Sequence, residues 1–139
     1  MSLEAWDHYT LSCSDLDATW RFYQDALGLK VTERTGFPIK AAIVWLGDTQ
    51  IVHMFQSRPE ANAIFTRLAP KDEESKPFPT GRILHVEFWA KDLAGMRRQL
   101  SAAGVQFAER TLPDKHQVTM EDPDGIHVGL NFPLAEVSK

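Results

Sequence analysis

The strongest constraint on this chain is that it makes one statement twice. His8 and His85 stand 77 positions apart, as do Asp15 and Asp92, and Asp48 and Gly125; Gly28 and Gly104 stand 76 apart. Matching places at one offset to within a residue, with the residue type repeated in three of the four pairs, mark an internal duplication, which takes precedence over any other fold argument. The clearer copy is ILHVEFWAKDLAGMRRQLSAAGVQF, residues 83–107. His85, Glu87 and Trp89 alternate with Val86, Phe88 and Ala90, the two-residue period of a strand with one polar and one apolar face. Asp92 is placed to cap a helix. Leu93, Met96, Leu100 and Ala103 recur at helical spacing, Gly104 ends the helix, and a strand follows.

The first copy has the same plan. Residues 7–13, DHYTLSC, predict a strand with His8, Thr10 and Ser12 on one face and Tyr9, Leu11 and Cys13 on the other. Ser14 or Asp15 caps a helix lined by Leu16, Trp20, Tyr23 and Leu27 and stopped at Gly28. A short strand over 29–33, a strand over 41–46, a turn at Gly47-Asp48 and a strand over 50–56 complete a βαβββ module. In the second copy Arg110 to Pro113 is a break. Strands over 117–121 and 126–132 then flank the turn Asp122-Pro123-Asp124-Gly125. The expected division is one domain, 1–139, with modules at 5–56 and 82–133. Residues 57–81, with four prolines and the run Lys71-Asp72-Glu73-Glu74, read as a linker or a lid.

Bulk properties exclude some classes. A formal net charge of -4 gives phosphate backbones no basic footprint. No apolar run approaches the roughly 20 residues that span a bilayer. The N-terminus lacks the basic and apolar regions of a signal peptide. Cys13 is the single cysteine, so no disulfide forms within the chain and a reducing cytoplasm is the expected location. On the apolar face of its strand Cys13 is not a nucleophile. No Gly-rich phosphate loop and no nucleophile elbow occur.

Three strings, DHYTLSCSDLDATWRFYQDALGLKV (7–31), HVEFWAKDLAGMRRQLSAAGVQF (85–107) and HQVTMEDPDGIHVGLNF (116–132), resemble the vicinal oxygen chelate superfamily of glyoxalases, extradiol dioxygenases and bleomycin resistance proteins. FYQDALGL and the DPDG turn are the most specific parts. The resemblance implies an α+β fold in which two βαβββ modules form a cupped, eight-stranded half-barrel, and a homodimer. It also implies a divalent metal (Fe, Zn, Mn or Ni) held by first and last strands. Those ligand positions fall on His8, His53 and His85, and the fourth, commonly Glu, falls on Gly129, which has no donor atom. Glu87 and His127, on the face of the missing carboxylate, are the candidates to replace it, with Glu87 either as a ligand or as a general base. Thr10, Trp45, Phe55, Trp89 and His127 are the expected substrate-lining residues, against a plain packing role for the aromatics. His116-Gln117 reads as a solvated pair ahead of a strand. The functional expectation is a metal-dependent dioxygenase, isomerase or lyase acting on a small oxygen-bearing, possibly aromatic, substrate. The alternative is a metal-free small-molecule-binding or drug-sequestering protein.

Overall fold

The computed structural model describes residues 7–61 and 85–138; most of the expected linker or lid lies outside them. The chain divides into two compact units, residues 1–24 with 29–79, and residues 25–28 with 80–139.

In the first unit β1 (Tyr9–Cys13) leads into α1 (Leu16–Arg21), whose last turns widen into a π-helical segment, Phe22–Ala26. β2 (Lys30–Glu33), β3 (Ala41–Leu46) and β4 (Thr49–Gln56) follow. The spatial order is β1-β4-β3-β2, with β1 parallel to β4 and the other pairs antiparallel. The second unit repeats this: β5 (His85–Trp89), α2 (Leu93–Ala102), β6 (Phe107–Thr111), β7 (His116–Glu121) and β8 (His127–Phe132) in the order β5-β8-β7-β6, again with only the first and last strands parallel. The duplication read from sequence is thus a duplication of topology. Gly28 and Gly104, the matched helix stops, both hold φ near +70°, which costs glycine nothing.

Each sheet buries one face. In the first unit Leu11, Cys13, Val44, Val52 and Met54 are buried together with Leu16, Thr19 and Tyr23 of the helical segment. In the second unit Val118, Val128, Leu130 and Phe132 are buried along with Leu93 and Leu100 of α2. That burial, at about 25 cal/mol per Å² of apolar surface, is the main favourable term for each unit.

Two expectations are corrected. β6 runs on through Thr111, where a break at Arg110 was expected, and β7 starts at His116. His116 and Gln117 are therefore strand residues, 5% and 1% exposed, not a solvated pair. Burial is tolerable because both are hydrogen-bonded. His116 Nε2 donates to Glu109 at 2.8 Å and its Nδ1 meets the Thr111 hydroxyl at 2.9 Å. Arg97 of α2 makes a two-pronged bond to Glu109, at 2.8 and 2.7 Å, clamping the helix to the sheet edge. The Arg97 bond, with help from His116, pulls the Glu109 carboxyl down to about 2.

The two helix caps differ in a testable way. Asp15 caps α1 from an extended backbone, whereas Asp92 caps α2 from the left-handed region at φ 60° while accepting the Gly95 N–H at 2.9 Å. Asp15→Ala loses a cap, about 1 kcal/mol. Asp92→Ala loses a cap and forces alanine into the left-handed region, for about 2–3 kcal/mol in all; thermal melts of the two variants check the order. Glu109 has its carboxyl depressed from 4.5 to about 2, so its contribution is complete above about pH 4.5 and is lost as pH falls through 2. Glu109→Gln is therefore expected to flatten the stability profile between those limits in acid unfolding curves.

Candidate functional site

The polar face of the second unit is set by register. Parallel pairing places Glu87 opposite Gly129, His85 opposite His127, and Trp89 opposite Asn131. Antiparallel pairing places Gln117 opposite Asn131, and Arg110 opposite Gln117. These side chains share one face because strand neighbours in register point the same way.

Glu87 is the centre of that face. Its Oε1 accepts from Gln117 Nε2 at 2.8 Å and its Oε2 from Asn131 Nδ2 at 2.9 Å. Gln117 Nε2 also donates to Asn131 Oδ1 at 3.0 Å, and Arg110 Nε donates to Gln117 Oε1 at 2.7 Å. Lys115 Nζ lies 3.7 Å from Oε2 and His85 Nε2 lies 3.6 Å from Oε1. The Asn131 bond, with the Lys115 and His85 charges and the Gln117 bond, holds the Glu87 carboxyl below its ordinary value against the opposing effect of burial. Such a group is a permanent anion near neutrality and a weak base.

Gly129 explains why Glu87 can stand there. A Cβ on residue 129 would come within 3.0 Å of Glu87 Cγ and 3.3 Å of its Oε1. The space over position 129 is thus filled by a carboxylate borne by the neighbouring strand. The residue lacking a donor and the residue supplying one are cross-strand partners. Trp89, 68% exposed, continues the face with Lys115 Nζ 6.0 Å from its ring. His127, with Nε2 3.0 Å from Glu121 Oε1, lies beside His85. Lys115, Asn131 and Arg110 were not singled out by sequence, and Gln117 was read with His116 as a solvated pair; Asn131 shares the strand parity of Gly129, which is the signal that existed.

In the first unit His8 and His53 stack with ring centroids 3.6 Å apart. Thr10 is the registered neighbour of His53 on β1. His53 Nε2 donates to Gln50 Oε1 at 2.7 Å, and its Nδ1 faces Arg34 Nη1 at 3.5 Å. Burial first, then the neighbouring His8 and Arg34 charges, push the His53 pKa down, so the ring is neutral, the form that binds metals. His8 Nδ1 pairs with Asp7 at 3.0 Å. Phe55 is 2% exposed and packs with Ala41, Ala61, Phe37 and Ile39; Trp45 is half-buried with its Nε1 donating to Thr32 at 2.9 Å.

Metal fit is mixed. Among the described residues no three His, Cys, Asp or Glu side chains gather as a ready cation site. Imidazole and carboxylate do lie together in the His85–Glu87 pair, and the carboxylate fills the cradle that a side chain at 129 would occupy. His53 must exchange its Gln50 bond to ligate through Nε2.

Two βαβββ modules, each closed by a parallel first-to-last pairing and each carrying polar groups on one face, define an α+β class. The family profile of the Glyoxalase/Bleomycin resistance protein/Dioxygenase superfamily matches residues 5–130, and the chain belongs to that superfamily. A sequence search of curated proteins finds no match. Several solved structures share the fold. One is a glyoxylase/bleomycin resistance protein/dioxygenase domain from Frankia sp. (TM-score 0.68, 20% identity, 95% of this chain and 93% of that one). Another is a lactoylglutathione lyase from Agrobacterium tumefaciens (0.64, 20%, 95% and 96%). A third is an antibiotic-binding protein from a Streptomyces species (0.66, 19%, 96% and 98%). Among the described residues no helix is long and apolar enough to cross a membrane.

Gly129→Ala should push Glu87 off its two amide donors. Leaving a buried amide without its acceptor costs about 1–3 kcal/mol, so an unfolding free energy lowered by that amount is expected in denaturant titrations, and an unchanged one would show that Glu87 relaxes freely.

Proposed function

We propose that the chain is a metal-dependent enzyme of its superfamily acting on a small oxygen-bearing substrate. The observation that carries this reading is that Glu87, the cross-strand neighbour of Gly129, occupies the space a side chain at 129 would take; in this reading it stands in for the carboxylate absent there. The residues proposed to hold a metal in the second unit are His85 and Glu87; in the first unit the candidates are His8 and His53, whose rings stack. A divalent ion bound there would polarise two neighbouring oxygens of a substrate and offset developing oxyanion charge.

The chain's own residues set the rest. Glu87, ionised and pinned by two amides, suits a ligand better than the general base of the opening expectation, because its lowered proton affinity weakens it as a base. Proton handling then falls to groups outside the proposed ligand set, the substrate's own included. The exposed Trp89 ring offers a flat apolar surface to an aromatic portion, with Thr10, Trp45 and His127 as the other proposed contacts. Phe55, packed in its own cluster, supports the first unit's wall from behind.

The runner-up, metal-free binding or drug sequestration, is favoured by one observation: both His53 nitrogens already have partners. One experiment separates the two. Untagged protein titrated with Mn, Fe, Ni or Zn in a calorimeter is expected to take up about one equivalent. Glu87→Ala should weaken uptake at least 10-fold, and Glu87→Ala with Gly129→Glu should regain it, since the carboxylate returns to the same space. Wild-type protein that takes up no metal overturns the enzyme reading and leaves the sequestering one.

A further inference from the structure

The hydrogen bonds around Glu87 run in one direction, and that direction is favoured from both ends, by the acceptor-only carboxylate and by a guanidinium outside it. A guanidinium has only donors. Arg110, giving its Nε–H to Gln117 at 2.7 Å, therefore requires the amide oxygen of Gln117 to face it. The Gln117 NH₂ must then point the other way, where it serves Glu87 Oε1 at 2.8 Å and Asn131 Oδ1 at 3.0 Å. Asn131, with its oxygen used, turns its own NH₂ to Glu87 Oε2 at 2.9 Å. An ionised carboxylate is acceptor-only, so the sequence of bonds is polar throughout, with a pure donor at one end and a pure acceptor at the other.

Glu87 favours the same orientation from the other end, through one bond to each amide. Gln117 and Asn131 are 1% and 4% exposed, so solvent does not compete for them. Neither amide has a shape-based preference between its oxygen and its nitrogen. Flipped, Gln117 would set its oxygen against a Glu87 oxygen and leave Asn131 Oδ1 without its donor. Such a half-satisfied buried network is costly.

We infer that Arg110 is a positioning residue for Glu87: its bond to Gln117 locks, from the donor end, the amide orientation that presents two N–H groups to the two carboxylate oxygens. Arg110 touches neither Glu87 nor a substrate. The inference rests on Glu87 being the carboxylate of the site but not on a metal being bound.

The test uses isotope-labelled, metal-free full-length protein and reads the side-chain amide signals of Gln117 and Asn131 by NMR. In wild type both NH₂ groups should give resolved signals with slow solvent exchange. Arg110→Met, which keeps the apolar stem, should broaden or double both and speed their exchange at least 10-fold. Arg110→Lys, also a pure donor, should largely restore them. Unchanged amide signals in Arg110→Met would overturn the inference. Should that variant fail to fold, Gln117→Glu provides the second arm. Its carboxylate would still pair with Arg110 but carries no N–H for Glu87, so the Asn131 signals should shift and the Glu87 carboxyl carbon with them; no shift in either overturns the proposal. Where wild type binds a divalent ion, Arg110→Met should also weaken binding about 10-fold. A wild type that binds none refutes the metal reading alone and leaves the amide arm standing.

Discussion

Each unit is held by the parallel pairing of its first strand with its last. A parallel neighbour cannot be reached by a tight turn, so the chain must travel through a helix and a hairpin before it returns. That journey wraps the helical segment onto one face of the sheet and frees the other for chemistry. The same pairing decides which residues meet. Thr10 meets His53 in the first unit, and Glu87 meets Gly129 in the second.

The Glu87–Gly129 contact is an economical way to keep a carboxylate while losing the residue that bore it. The space above a backbone position belongs to both strands that flank it. Only one side chain can fill it, since a Cβ at 129 would approach Glu87 Cγ to 3.0 Å. A carboxylate reaching in from β5 is met by amides from β7 and β8, and those amides keep it charged. The superfamily profile and the fold relatives establish the scaffold; on it this chain sets Glu87, Gln117, Asn131 and Arg110 in one hydrogen-bonded network.

On the opposite face of the same sheet polar groups serve cohesion. Arg97, Glu109, His116 and Thr111 link α2 to β6 and β7. Cross-strand register puts His116 beside Thr111 and Arg110 beside Gln117. Adjacent residues on one strand therefore enter two networks with different tasks, one bracing the helix, the other orienting the carboxylate.

The sequence by itself determined the duplication, the order of elements, the helix stops at Gly28 and Gly104, and the split of each strand into two faces. These follow from periods of two and 3.6 residues and from local capping chemistry, which a short window contains. The resemblance added that Gly129 carries no donor, with Glu87 and His127 as the candidates to stand in for it. Only the tertiary structure decided that Glu87 fills that very space, that His116 and Gln117 are buried, and that Arg110 bonds to Gln117 behind Glu87. Those facts depend on register between strands whose residues lie up to 42 positions apart. The alternation within one strand is unchanged when it slides by two residues along its neighbour, so register is settled by the packing of the whole unit and is written in no single stretch.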